Sequence, residues 1–272
     1  MATASVFLPP SQEEEDEYPT GDGKPMGETD RHIDQMMYCK AALQAYFAED
    51  ANVYVASNNF LYYEEGNPKA VICPDCYVVF GVPKHQRDTY KVWLEGNRTP
   101  DVVIEITSKT TKREDEGEKR EKYQRLGVSE YYQFDPTGDY LRPRLKASFL
   151  VEGQYQPVSI NRDRILSPLL DLELVMVGET MRFFDPATQE WLPTFEEAIA
   201  RAEQEARRAQ DASRRAEEEA RHAAAAAAAR VEAEHRAAEE AQAHLAERQR
   251  AEAAEAEIAR LRAEIEALRR SS

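Results

Sequence analysis

The segment 101-DVVIEITSKTTKREDEGEKREKY-123 carries a glutamate, Glu105, in the middle of an apolar run. Side chains alternate along a strand, so Val102, Ile104 and Ile106 take one face and Val103, Glu105 and Thr107 the other. A carboxylate among β-branched residues is costly to bury unless it is paired or holds a metal. Two readings follow: an ion pair with a Lys or Arg of the next helix, or an oxygen ligand of a divalent ion. Asp75 favours the second. It follows Pro74 and interrupts another apolar run, 71-VICPDCYVVFG-81. If the two strands are neighbours, Asp75 and Glu105 meet at one end of a sheet, within reach of one ion. Hard oxygen donors of this kind suit Mg2+ or Mn2+. Asp101 lies four residues from Glu105, ~13 Å along an extended chain, too far to share that ion. It caps the start of the strand instead.

Asp115, Lys119 and Tyr123 are spaced by four, so a helix places them on one face. Such a helix, packed on the sheet, could aim an ammonium at the Glu105 side. Asp115 and Lys119 could equally form a solvated pair worth a few tenths of a kcal/mol, ~0.3. Lys109 would share the Glu105 face if the strand ran on to it, but 108-SKT-110 reads as the turn. Cys73 and Cys76 have Cys-x-x-Cys spacing without a second pair. Alternation sets them on opposite faces, which reads as packing rather than a zinc site. His32 and His85 stand apart. His85, Lys84, Arg87 and Lys91 form either a small basic rim for phosphates or a solvated loop. Tyr90 and Trp93 either stack on bases or anchor that loop.

The elements that would position these groups are legible in outline. Residues 28–49 place Ile33, Met36, Met37, Leu43 and Phe47 at helical spacing, with Thr29 or Asp30 as cap and with Met36, Met37 and Cys39 in the core. The runs 52–58 and 60–65 alternate around Asn-Asn and predict a hairpin. Residues 71–81 predict an edge or bulged strand containing Pro74. The stretch 82–100 reads as a long exposed loop, 101–107 as a strand, 112–126 as a helix and 130–135 as a strand. After a turn at 136–139, strands follow at 146–151, 155–160 and 172–184. Strands, a crossover helix and more strands make an α+β (α/β-like) domain with a mixed sheet over 28–194.

Residues 1–27 form an acidic, disordered arm by composition. Residues 195–272 are Ala, Glu and Arg with no Gly or Pro, including seven consecutive alanines at 223–229. They predict one helix on the order of 100 Å long. Ile258, Leu261, Ile265 and Leu268 follow coiled-coil spacing. The tail is therefore either a solvated helix or a self-association helix.

Formal net charge is -16, from 35 Lys plus Arg and 51 Asp plus Glu. A nonspecific nucleic-acid binder usually shows a basic face and high pI, so any such face here must be local. Three cysteines, an odd low number, and a start without a basic n-region or apolar core point to a cytoplasmic protein. No apolar run approaches the ~20 residues of a membrane span.

Pro74-Asp75 followed by Glu105 on a later apolar strand resembles the PD-(D/E)XK nuclease superfamily. More narrowly, 74-PD, 100-PDVVIEITSKTT, Asp115, Lys119, Tyr123 and 127-GVSEYYQFDP-136 are similar to the Uma-type family of restriction endonucleases, over roughly residues 28–190. In the superfamily a lysine lies two residues after the acid; here that residue is Thr107. In the Uma-type pattern the following helix supplies it, and Lys119 matches. The resemblance implies a restriction-endonuclease-like fold and metal-assisted hydrolysis of DNA phosphodiesters. Asp75 and Glu105 would hold Mg2+ or Mn2+, and Lys119 would orient water or neutralise the transition state. Glu28 or Asp30 would be the assisting acid on the first helix. A catalytically silent scaffold that displays the tail is the alternative, favoured by the charge and by Thr107.

Overall fold

The computed structural model describes residues 18–21, 28–108, 115–161 and 163–270, with backbone alone at 264 and 266–270. The chain divides into a unit of residues 1–199 and a unit of residues 200–272. Helix α1 spans Asp30–Tyr46, α2 Glu118–Leu126 and α3 Phe195–Arg270. A six-stranded sheet contains β1 (Val53–Ala56), β4 (Cys76–Phe80), β6 (Val102–Ile106), β7 (Glu130–Phe134), β8 (Leu145–Val151) and β9 (Gln154–Pro157), in the order β1-β4-β6-β7-β8-β9. The pair β6–β7 is parallel and its neighbours are antiparallel. A parallel pair needs a crossover, and α2 lies between these two strands in the chain. The mixed sheet and the helix order are those of the predicted α+β class.

Both faces of β6 are covered, which is why it reads as almost continuously apolar. Val102, Ile104 and Ile106 pack with Cys39 and Leu43 of α1, and Val103 packs in a second cluster with Tyr77, Tyr123 and Tyr131. Thr29 caps α1, its hydroxyl accepting from the His32 N–H at 3.3 Å. Gly127 ends α2 in the left-handed conformation, φ 79°, where a side chain would be strained.

Several expectations are corrected. The runs 52–58 and 60–65 are not a hairpin: β1 pairs with β4, and β2 (Phe60–Tyr62) joins a separate sheet with β3 (Val71–Ile72) and β5 (Thr89–Lys91). Asn58, at φ 52°, turns the chain between them. The run 71–81 is likewise divided between β3 and β4 at the Pro74 step, since proline donates no ladder hydrogen bond. The stretch 82–100 is an exposed loop only in part, at 83–88: it then holds β5 and a short 3-10 helix, Val92–Glu95, with Tyr90 and Val92 buried. The run 172–184 is a hairpin of β11 (Leu172–Val177) and β12 (Thr180–Asp185). With β10 (Arg164–Ser167) and β13 (Glu190–Trp191) these make a third, antiparallel sheet.

On α1 the buried stripe is His32, Gln35, Cys39, Ala42 and Leu43, whereas Met37 and Ile33 face outward. Gln35 explains the offset. Its amide donates to the Met181 carbonyl at 2.8 Å and accepts from the Met181 N–H at 3.2 Å, docking β12 on the helix. In the arm, Tyr18 is anchored: it is buried against Tyr62 and Trp93 and its hydroxyl accepts from the Gly66 N–H.

Asp135, at the end of β7, organises the following turn. Its carboxylate accepts from the N–H groups of Thr137, Gly138, Tyr140 and Leu141 and from the Thr137 hydroxyl. Burial alone would raise its pKa, but these donors hold it below the ordinary value. Its contribution is thus complete above about pH 4 and is lost as pH falls. Asp135→Asn is expected to cost about 2–3 kcal/mol in urea unfolding at pH 7, with a smaller cost at pH 3.

Candidate active site

The antiparallel register pairs Cys76 with Ile104, so the next step outward sets Asp75 opposite Glu105. Asp75 stands just before β4, where its Oδ2 accepts from the Ile106 N–H at 2.7 Å. The aspartate is thereby tied to the strand that carries the glutamate. Glu105 is fully buried. Its Oε1 accepts from the Tyr123 hydroxyl at 2.5 Å and its Oε2 from Lys119 Nζ at 2.9 Å. Lys119 Nζ also lies 3.3 Å from Asp115 Oδ1. The i, i+4 spacing of Asp115, Lys119 and Tyr123 therefore delivers all three to one point. Asp115 and Glu116 are helical, Gly117 interrupts, and α2 follows from Glu118; residues 112–114 of the expected helix 112–126 lie outside the described residues.

Exposure is graded. The Glu105 and Asp115 side chains are completely covered, whereas those of Asp75 and Lys119 retain 13% and 15% of their surface. An incoming ligand would meet Asp75 and Lys119 first.

His32 completes the cluster and was not singled out in the sequence. It does not stand apart: its ring is buried, with Nε2 3.3 Å from Asp75 Oδ1 and Nδ1 3.5 Å from Glu28 Oε2. The missed signal is its place on the stripe 32, 35, 39, 42, 43. A polar side chain on the buried face of a helix needs a partner. Of the two acids expected on this helix, Glu28 faces His32 and Asp30 is exposed. Thr107 is buried, and its hydroxyl has no hydrogen-bond partner among the described residues. Lys109 lies outside the described residues. Asp101 Oδ2 accepts from the Phe80 N–H at 2.8 Å, a strand-start cap.

The electrostatics follow from crowding. Burial would raise the Asp75 carboxyl, but His32, Lys119 and the Ile106 N–H hold it below its ordinary value. Asp75 is thus an acceptor, and His32 Nε2–H the donor. Burial would lower the Lys119 ammonium, but Glu105, Asp115 and Asp75 hold it well above its ordinary value. Glu105 is pushed well above its own by burial and, against the pull of Lys119, by Asp75 and Asp115. Three carboxylates thus surround one ammonium, and the surplus negative charge is relieved on Glu105. Two carboxylates at such a point are the usual protein share of a Mg2+ site, the remaining positions being water or substrate oxygen. Among the described residues no group of three or more His, Cys, Asp and Glu side chains is arranged to hold a metal. The donor set fits a hard divalent ion bound by two carboxylates, provided that Lys119 releases Glu105 Oε2.

The basic residues of 84–91 are already engaged. Lys84 Nζ donates to the Phe47 and Ala48 carbonyls. Arg87 pairs with Glu95 at 2.6 Å and lies over Tyr54. Lys91 lies over Tyr18, and Trp93 packs on the same ring. These contacts anchor the loop. Cys39, Cys73 and Cys76 form no disulfide.

Residues 10–177 match the model of the Uma2 family, described as "Putative restriction endonuclease". Among solved structures, a crystal structure titled as a putative nuclease belonging to DUF820, from Anabaena variabilis, aligns with a TM-score of 0.40 and 12% identity. The alignment covers 56% of this chain and 81% of that one. No curated protein matches the chain.

Proposed function

Because the chain belongs to the Uma2 family of restriction-endonuclease type, we propose that Asp75, Glu105 and Lys119 are the active centre of a metal-dependent endonuclease acting on DNA. The observation that carries this reading is the convergence of two carboxylates from adjacent strands with an ammonium 2.9 Å from one of them. Mg2+ or Mn2+ held by Asp75 and Glu105 would polarise the phosphate and lower the pKa of the attacking water.

The chain's own residues then have separable tasks. Lys119, kept charged by Asp115, donates to a phosphate oxygen as negative charge develops there. Tyr123 fixes one Glu105 oxygen, and the Ile106 N–H fixes one Asp75 oxygen, so the two ligands are aimed before the ion arrives. Glu28 steadies the buried ring of His32. Lys109 remains a runner-up for the ammonium.

Self-association through 195–272 belongs to the same reading, with 28–194 as the catalytic domain. Among the described residues no helix is long and apolar enough to cross a membrane. One observation favours the silent-scaffold alternative: both Glu105 oxygens are already bonded, one of them to the lysine.

The test is incubation of supercoiled plasmid with the protein and Mg2+, Mn2+ or EDTA. Nicked and linear DNA with either metal, and none with EDTA, is expected. Intact plasmid under every metal condition, with the protein folded, would favour the scaffold.

A further inference from the structure

The last turns of α3 leave Ile258, Leu261 and Ile265 about half exposed. The spacing 258, 261, 265, 268 makes Ile258 and Ile265 position a, and Leu261 and Leu268 position d. Ile at a with Leu at d is the combination that favours two parallel strands. The flanking residues add an independent constraint. Position g carries Arg250, Glu257 and Glu264, and position e carries Glu255, Arg262 and Arg269. In a parallel, in-register pair each g residue faces the e residue five positions later in the partner helix. Arg250 then meets Glu255, Glu257 meets Arg262, and Glu264 meets Arg269. All three pairings are of opposite sign. An antiparallel pair sets g against g and e against e. With Ile258, Leu261, Ile265 and Leu268 centred on their counterparts, Arg262 would then face Arg262 of the other helix.

We propose that the tail is one strand of a parallel, in-register, two-stranded coiled coil, with a second copy of this chain as its partner and residues 250–269 as the seam. This rests on the self-association reading above and adds orientation, register and number of strands. Upstream, the corresponding a and d positions are mostly alanine, which leaves the terminal heptads to set the pairing.

The experiment uses the full chain. Light scattering is expected to give twice the 31.0 kDa chain mass. Glu257→Arg and Arg262→Glu, each alone, set like charges across the seam twice per dimer and are expected to raise the dissociation constant roughly tenfold. Combined in one chain, or mixed as two singly substituted chains, they restore it. Ala254→Cys, at position d in a Cys73→Ser background, is expected to oxidise to a covalent dimer. A monomer would overturn both self-association and the coiled coil. A dimer that does not cross-link through the thiol introduced by Ala254→Cys, and that ignores the charge exchange, would overturn orientation and register alone. A trimer or larger species would overturn the two-stranded assignment.

Discussion

Glu105→Gln is expected to reduce metal-dependent plasmid nicking by a factor on the order of 10³ while leaving the protein as stable as wild type or more so. The amide keeps the shape of the side chain, and its oxygen can still accept from Tyr123, but it cannot serve as an anionic ligand. The stability half of the prediction follows from the raised Glu105 pKa. An acid whose folded pKa exceeds its unfolded value binds more protons in the folded state. It therefore lowers stability as pH rises above about 4.5. Glutamine removes that dependence. Urea midpoints should thus differ little at pH 5 and favour the variant at pH 8. Loss of the fold together with loss of nicking would make Glu105 a structural ion-pair partner and would remove its assignment as a ligand.

Lys119→Met is expected to have the larger effect on stability. Methionine keeps the aliphatic stem but leaves Glu105 and Asp115, both fully buried, beside Asp75 without the ammonium. Breaking a buried pair on one side costs about 3–5 kcal/mol. The sign with pH is definite. The lost interaction requires ionised carboxylates, so the cost is greatest at pH 8 and shrinks toward pH 4, where the acids can take up protons. Chemical unfolding at the two pH values checks this. A loss below about 1 kcal/mol that does not vary with pH would mean that the ammonium does not neutralise this cluster. Nicking by the variant should also fall, because no other described cation lies against Glu105.

Much of this site could be read from the sequence because it is written in local rules. Alternation put Glu105 opposite the Ile104 face, and a spacing of four put Asp115, Lys119 and Tyr123 on one side of a helix. What alternation could not supply was pairing. Whether β4 neighbours β6, and in which register, depends on contacts far apart in the chain. For the same reason, 52–58 and 60–65 looked like a hairpin although they belong to different sheets. The segment 82–100 was missed because its charged residues lie over rings far off in the chain, Arg87 over Tyr54 and Lys91 over Tyr18, while Arg87 also pairs with Glu95 inside the segment. On α1, hydrophobicity pointed to Met37 and Ile33. Burial instead follows His32 and Gln35, whose partners Asp75 and Met181 lie 43 and 146 residues away. Polar groups that go inside for a distant partner are invisible to a pattern that counts only apolar residues.

Whether the carboxylate pair takes up a divalent ion is decided by calorimetric titration of Mn2+ into wild type and Glu105→Gln, repeated in buffers of different ionisation enthalpy. Wild type should bind, and any proton release should shrink as pH is raised, because burial with Asp75 and Asp115 raises Glu105. The variant should bind far more weakly and release none. Equal binding by both proteins, or none by wild type, would contradict a metal centre built on Asp75 and Glu105.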